Sequence, residues 1–173
     1  MPTSPHDPVI SLRPIAAHDL DWVRAELARN WGGTQISSLG VWHDADRLPG
    51  FIAFDGRREE RIGLLTHTPL TTDAEHGCEV ITLSTNVEDR GVGTQLLAAA
   101  VEAARRAGCR RIFLTTTNDN LRAIGFYQRR GWSLVAVHRG AMDRARESKP
   151  SIPLTGMNGI PLRDEIELEF RFA

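Results

Sequence analysis

The chain has 173 residues, 41% hydrophobic and 25% charged, which is the composition of one ordinary globular domain with enough length for a sizeable core. Lys plus Arg number 21 against 22 Asp plus Glu, for a net charge of -1, and this balance argues against nucleic acid or an anionic membrane as the main partner. No apolar run approaches the ~20 residues of a membrane helix, residues 1–8 lack the basic and apolar regions of a secretory signal, and Cys78 and Cys109 form no metal or redox motif, so a reduced cytoplasm is the expected setting.

Residues 1–8 hold three prolines and suggest a flexible tail, leaving 9–173 as a single domain. A short first strand is expected over 9–13, ended by Pro14. A helix is expected over 17–28, with Leu20, Val23 and Leu27 at core spacing, Asp19 as its cap and Trp31-Gly32-Gly33 as its break. Residues 34–43 are moderately strand-like, and 44–50 turn. Two apolar strands, 51–54 and 61–67, flank a charged connection with an Asp55-Gly56 turn signal, giving an antiparallel meander. A polar link covers 68–77.

The stretch from Cys78 to Gly108 organises the rest. Residues 79–85 alternate apolar and polar side chains as a half-buried strand does. A glycine-bearing loop, 86–94, opens directly into a helix over 95–107 with Leu96, Leu97, Ala100, Val101 and Ala104 on one face and Gly108 as its stop. The first amides of such a helix lack intrahelical partners, and its dipole favours an anion there. Gly91 and Gly93 let a phosphate approach the main chain; a tight turn needing small residues explains the same pattern.

Further strands are expected over 111–117, 132–138 and 163–172, a helix over 121–130 stopped by Gly131, and one or two helical turns over 141–147. Residues 149–154 read as extended and 156–161 as a turn. The last strand alternates so strictly, with Glu165, Glu167 and Glu169 on one side, that it predicts first a solvated acidic face, and as the alternative a stripe that could attract a cation.

Two motifs then carry a resemblance. Asp89-Arg90-Gly91-Val92-Gly93-Thr94-Gln95-Leu96-Leu97 follows a strand, and Asn120-x-x-Ala123-x-x-x-Tyr127-x-x-x-Gly131-Trp132 comes about two dozen residues later. Together they resemble the GCN5-related N-acetyltransferase (GNAT) superfamily, and the element order fits from residue 9 to 172. The tail through 149–167 is similar to a bacterial subgroup of these proteins to which the resemblance attaches no substrate. The implied fold class is mixed α/β (α+β), the GNAT acyl-CoA N-acyltransferase fold: a mixed, mostly antiparallel sheet with one splayed parallel strand pair, flanked by helices.

The resemblance implies acetyl-CoA as co-substrate, no metal, and transfer of its acetyl group to a primary amine of a small molecule or protein in a ternary complex. The cofactor arm would run along Ile81, Thr82 and Leu83, its pyrophosphate on the loop from Asp89 through Arg90, Gly91, Val92 and Gly93 to Thr94, with Asn120 bonding the arm or capping its helix. Glu88 stands where the family usually has Gln or Arg, which weakens the electrostatics of that loop. Tyr127, the only tyrosine, would be the general acid, protonated at neutral pH because a free phenol has a pKa of ~10. Glu79 is the candidate general base, through a water; an exposed strand glutamate is the competing reading. Trp31, Trp42 and His43 are candidates for binding the acceptor, although buried tryptophans are more often core. His43, His67 and His138 read first as structural or surface histidines. Two other readings remain open: a non-catalytic acyl-CoA-binding sensor on the same fold, and an aminoacyl-tRNA-acetylating toxin, against which the near-neutral charge counts. A homodimer through an edge strand at 163–172 is a further expectation.

Overall fold

The computed structural model describes residues 9–69 and 77–173. Strand β1 (Ile10–Pro14) leads through a short 3-10 turn (Ala17–Asp19) into helix α1 (Leu20–Trp31). A hairpin of β2 (Gln35–Ser38) and β3 (Val41–Asp44) follows, then β4 (Gly50–Asp55), β5 (Glu60–His67) and β6 (Cys78–Thr85). Helix α2 (Val92–Arg106), β7 (Arg111–Thr117), α3 (Leu121–Gln128), β8 (Ser133–His138), α4 (Ala141–Ser148) and β9 (Glu165–Arg171) complete the order. Seven strands form one sheet in the order β1-β4-β5-β6-β7-β9-β8, while β2 and β3 pair only with each other. The tail expected over 1–8 and most of the link expected over 68–77 lie outside the described residues.

Two apolar helix faces hold the sheet. On one side α2 buries Leu96, Leu97, Ala100 and Ala104 against Leu65, Val80, Ile112, Leu114 and Leu168. On the other, Val23 and Leu27 of α1 pack on Ile36, Ile52 and Leu64. Each fully buried leucine among these stabilises the fold by roughly 1.5–3 kcal/mol through removal of apolar surface from water. No described helix is long and apolar enough to cross a membrane.

Every neighbouring pair in the main sheet is antiparallel except β6 with β7. That parallel pair is short, with only Cys78 opposite Ile112, Glu79 opposite Phe113 and Val80 opposite Leu114. Beyond Val80, β6 stays paired to β5 as far as Thr85, and β7 stays paired to β9 as far as Thr117. The two halves of the sheet therefore part company at their shared seam. A wedge opens between 81–85 and 115–117, with main-chain groups of β6 left unpaired along it.

Several expectations from sequence need correction. Helix α2 starts at Val92 rather than Gln95, because Gly91 takes a left-handed conformation (φ 77°) that turns the chain three residues earlier. Asp19 precedes α1 but makes no side-chain cap; its buried carboxylate accepts from the Ala16 amide, Arg13 and Arg61. Strand β9 lies between β7 and β8, so residues 163–172 are not an edge; β8 and β1 are. The acidic side of β9 is not solvated either. Glu165 and Glu167 are 5% and 6% exposed, since the β2–β3 hairpin and neighbouring side chains cover that face. Alternation gave the correct faces and the buried apolar side, but not that the acidic side is covered as well.

Candidate active site

At the N-terminus of α2 the loop residues and the start of α3 enclose a cavity of about 440 Å³, lined by Asp89, Gly91, Val92, Gly93 and Thr94, and by Asn120, Arg122, Tyr127, Arg129 and Arg130 across the cleft. No heavy atom comes within 4 Å of where a Cβ on Gly91 would stand, so its main chain is open to an approaching group. Gly93 faces Phe126, whose ring would lie 3.4 Å from an added Cβ. First-turn amides and three guanidinium groups are gathered at this end, beside the carboxylates of Glu88 and Asp89, and amides and guanidinium groups are what an anion is attracted to. Arg130 is held in place by bonds to the Thr94 hydroxyl (2.6 and 3.0 Å) and the Phe126 carbonyl (2.8 Å), with its guanidinium over the Phe126 ring.

Glu88 does not leave an uncompensated negative charge beside this site. Arg122, on the first turn of α3, donates to Glu88 (2.7 Å) and reaches Asp89 (3.4 Å). Both sides of the contact are exposed, so its strength depends on salt.

Asn120 sits at the junction of this cavity with a second one of about 590 Å³. Its Oδ1 accepts from the Ala123 amide (3.1 Å) and caps α3, which turns the Nδ2 group, unpartnered among the described residues, toward the cleft. Leu83 and Thr85 also line both cavities, so the two form one passage across the splayed strands. Tyr127 borders that passage. Its ring packs edge-on to Phe126 and against Trp132, and burial pushes its phenol well above the ordinary value, keeping it protonated at any physiological pH.

Glu79 is buried, and its carboxyl accepts a hydrogen bond from the Ser38 hydroxyl. Ser38 in turn shares a 2.7 Å hydrogen bond with Thr115. Ser38 and Thr115 line the second cavity while Glu79 stands behind them. Burial raises the Glu79 pKa to about 7; Ser38 opposes the shift and the negative charges of Glu165 and Glu167 add to it. Around it, Arg111 binds Glu167 (3.1 Å) and Glu169 (2.9 Å), and His138 meets the other Glu167 oxygen (2.8 Å).

The remaining candidates divide between site and scaffold. Trp31, Trp42 and Ile81 line the second cavity. Thr82 turns the other way, bonded to Thr66 (2.7 Å) inside the sheet. Arg90 and His43 line neither cavity, and the His43 Nε2 is buried without a partner among the described residues. His67 is buried against the Thr68 carbonyl (2.6 Å). Sequence reasoning missed Ser38, Thr115, Arg122 and Arg130. Ser38 lies 41 residues before Glu79, and no local pattern joins them. Glu165 stands in the acidic stripe of β9, whose apolar side was rightly expected to be buried and whose acidic side the β2–β3 hairpin covers as well.

The fold and the wedge define a class. The acetyltransferase (GNAT) family model matches residues 16–132. Protein YdhI of Bacillus subtilis (strain 168) is 44% identical over 140 residues, 80% of this chain and 84% of that protein. Protein YxbD of the same organism is 38% identical over 148 residues, covering 86% and 90%. Among solved structures, Arabidopsis thaliana NAA60 in complex with acetyl-CoA superposes with a TM-score of 0.68 at 18% identity, over 95% of this chain and 99% of that one. The chain belongs to the acetyltransferase (GNAT) family; its class is that of the acetyl-CoA-dependent N-acetyltransferases.

Proposed function

We propose that this enzyme transfers the acetyl group of acetyl-CoA to a primary amine held in the second cavity, both substrates being bound at once. The observation that carries the reading is the continuity of the two cavities at Leu83, Thr85 and Asn120, with Tyr127 on the side of the anion site and the Ser38–Glu79 pair on the other. The open main chain at Gly91 and the three arginines fit a diphosphate, and the unpaired edge of β6 beyond Val80 fits an extended amide-bearing arm.

Bound there, acetyl-CoA supplies a thioester whose carbonyl carbon the neutral amine attacks, forming the C–N bond as the C–S bond breaks. Tyr127 gives its hydroxyl proton to the departing sulfur. The proton leaving nitrogen passes by way of the Thr115 and Ser38 hydroxyls to the Glu79 carboxylate, which its pKa of about 7 suits to the task. Solvent then reprotonates the phenolate and takes the proton from Glu79. The pairing of Glu88 with Arg122 removes the charge argument for a non-catalytic sensor.

Thiol release from acetyl-CoA in the presence of an amine tests this reading. Tyr127→Phe should lower kcat by roughly 100-fold or more while leaving acetyl-CoA affinity near that of the wild type. Equal turnover by the two proteins would remove Tyr127 from the acid role.

A further inference from the structure

The second cavity carries information about its occupant. Its volume of about 590 Å³ is that of a small-molecule site. Trp31, Ile36, Trp42, Met142, Met157 and Leu162 give it an apolar and aromatic wall. Among its lining residues only Glu165 and Lys149 carry charge, and the Lys149 ammonium is bonded to the Trp31 carbonyl (3.0 Å).

Glu165 differs from the other acids of β9. Arg111 neutralises Glu167 and Glu169, but Glu165 has no ion pair among the described residues. It is 5% exposed, one oxygen accepts from the Leu39 amide (3.1 Å), and the other has no hydrogen-bond partner among the described residues. Glu165 is the one carboxylate among the described residues that line this chamber, whose wall otherwise mixes apolar and aromatic side chains with neutral hydroxyls and amides, and its vacant acceptor is placed to meet a cation.

The chamber is also partly covered. Residues 149–162 cross it as a strap contributing Lys149, Ile152, Pro153, Met157 and Leu162 to the lining. Three anchors fix the strap: Lys149 to the end of α1, the Met157 amide to Asp119 (2.7 Å), and Arg146 of α4 to the carbonyls of Ile152 (3.1 Å) and Pro153 (2.6 Å). Gly156 passes so close to Asp119 that an added Cβ would stand 2.0 Å from its carboxylate. A polypeptide needs an open groove for the residues that follow its first; a small molecule does not.

We propose that the acceptor is a small primary amine with one nitrogen on an apolar body, an alkyl- or arylalkyl-monoamine, which enters as its ammonium ion to be met by Glu165, gives its extra proton to solvent before the neutral nitrogen attacks the thioester, and rests its body against Trp31, Trp42 and Met142. The inference rests on the N-acetyltransferase reading above. A polyamine would bring further ammonium groups to a chamber whose described lining holds no second carboxylate, and a peptide would meet the strap.

Thiol release from acetyl-CoA is to be compared for hexylamine, 2-phenylethylamine, spermidine and a short peptide with a free N-terminus. The monoamines should show a kcat/KM at least tenfold above the other two. Glu165→Gln should raise the monoamine KM about tenfold with kcat largely kept, and Trp42→Ala, which leaves the carboxylate in place, should raise it as well should the first variant fail to fold. Preference for spermidine or the peptide, with turnover still dependent on Tyr127, overturns the monoamine and leaves the acetyltransferase standing. An unchanged KM in both variants overturns it too. Absence of thiol release with every amine removes both readings together.

Discussion

Glu79 owes its raised pKa first to burial, with Glu165 and Glu167 adding to it and the Ser38 hydroxyl working the other way. If its carboxylate takes the amine proton, kcat rises with pH through about 7 and levels above it. Ser38→Ala deletes the one hydrogen bond that favours the charged form, so that rise should move to higher pH as kcat falls, whereas Glu79→Gln should abolish it; a profile that keeps its midpoint in both variants removes Glu79 from the reaction. The same shift acts on stability with a definite sign. The folded state holds this proton more tightly than the unfolded chain, so its contribution to stability falls as pH rises from about 4.5 through about 7. Tm measured across that window should decline less in Glu79→Gln than in the wild type.

Helix α2 and helix α3 face each other across the anion site, and what each brings to it differs. Helix α2 brings amides whose direction is set by the left-handed turn at Gly91. Helix α3 brings Arg122, which meets Glu88 and Asp89. Removing the acidic partner frees the guanidinium for a phosphate. Glu88→Gln should therefore tighten CoA binding and Arg122→Ala weaken it, each by about threefold or more at low ionic strength, with both effects shrinking in salt; calorimetric titration at two salt concentrations reads both. Effects of the same sign in the two variants would contradict the compensation.

These elements were legible in the sequence for different reasons. The wedge strands and α2 announced themselves through period-two and period-3.6 patterning, and Tyr127 and Asn120 through their spacing on α3. Arg122 lay inside the same motif, yet its partner is 34 residues away in a loop, and no local rule pairs them. The β2–β3 hairpin gave only a weak signal, because its main task is to cover the acidic face of β9 and deliver Ser38 to Glu79.

Across the whole molecule, the face that carries the chemistry is the one sequence patterning assigned to water. Burial of an acidic strand face is a tertiary event: it depends on a hairpin and a strap distant in the chain, so alternation alone cannot show it. A second long-range tie holds the far side of the sheet. Asp19, fully buried, joins Arg13 of β1 (2.6 Å) and Arg61 of β5 (2.9 Å) at the entrance to α1. The Arg13 hydrogen bond dominates in holding its carboxyl far below the usual range, so its contribution is present above the ordinary carboxylate pKa and is lost as pH falls toward the folded value. Asp19→Asn should cost about 3 kcal/mol at neutral pH and flatten the acid side of the stability profile; denaturant melts at pH 7 and pH 3 would show it, and an unchanged midpoint at pH 7 would refute it.

The proposal that the head of α2 seats the nucleotide is tested most directly by titrating CoA into the wild type and into Gly93→Asp. An aspartate in the first turn suits the helix dipole, and its Cβ would meet the Phe126 ring at an ordinary contact distance of 3.4 Å, while its charge stands in the cavity lining where the diphosphate would bind. The wild type should bind one CoA per chain, and the variant, with its Tm retained, should bind at least tenfold more weakly. Equal affinity in the two proteins, or no binding by the wild type, would contradict the account.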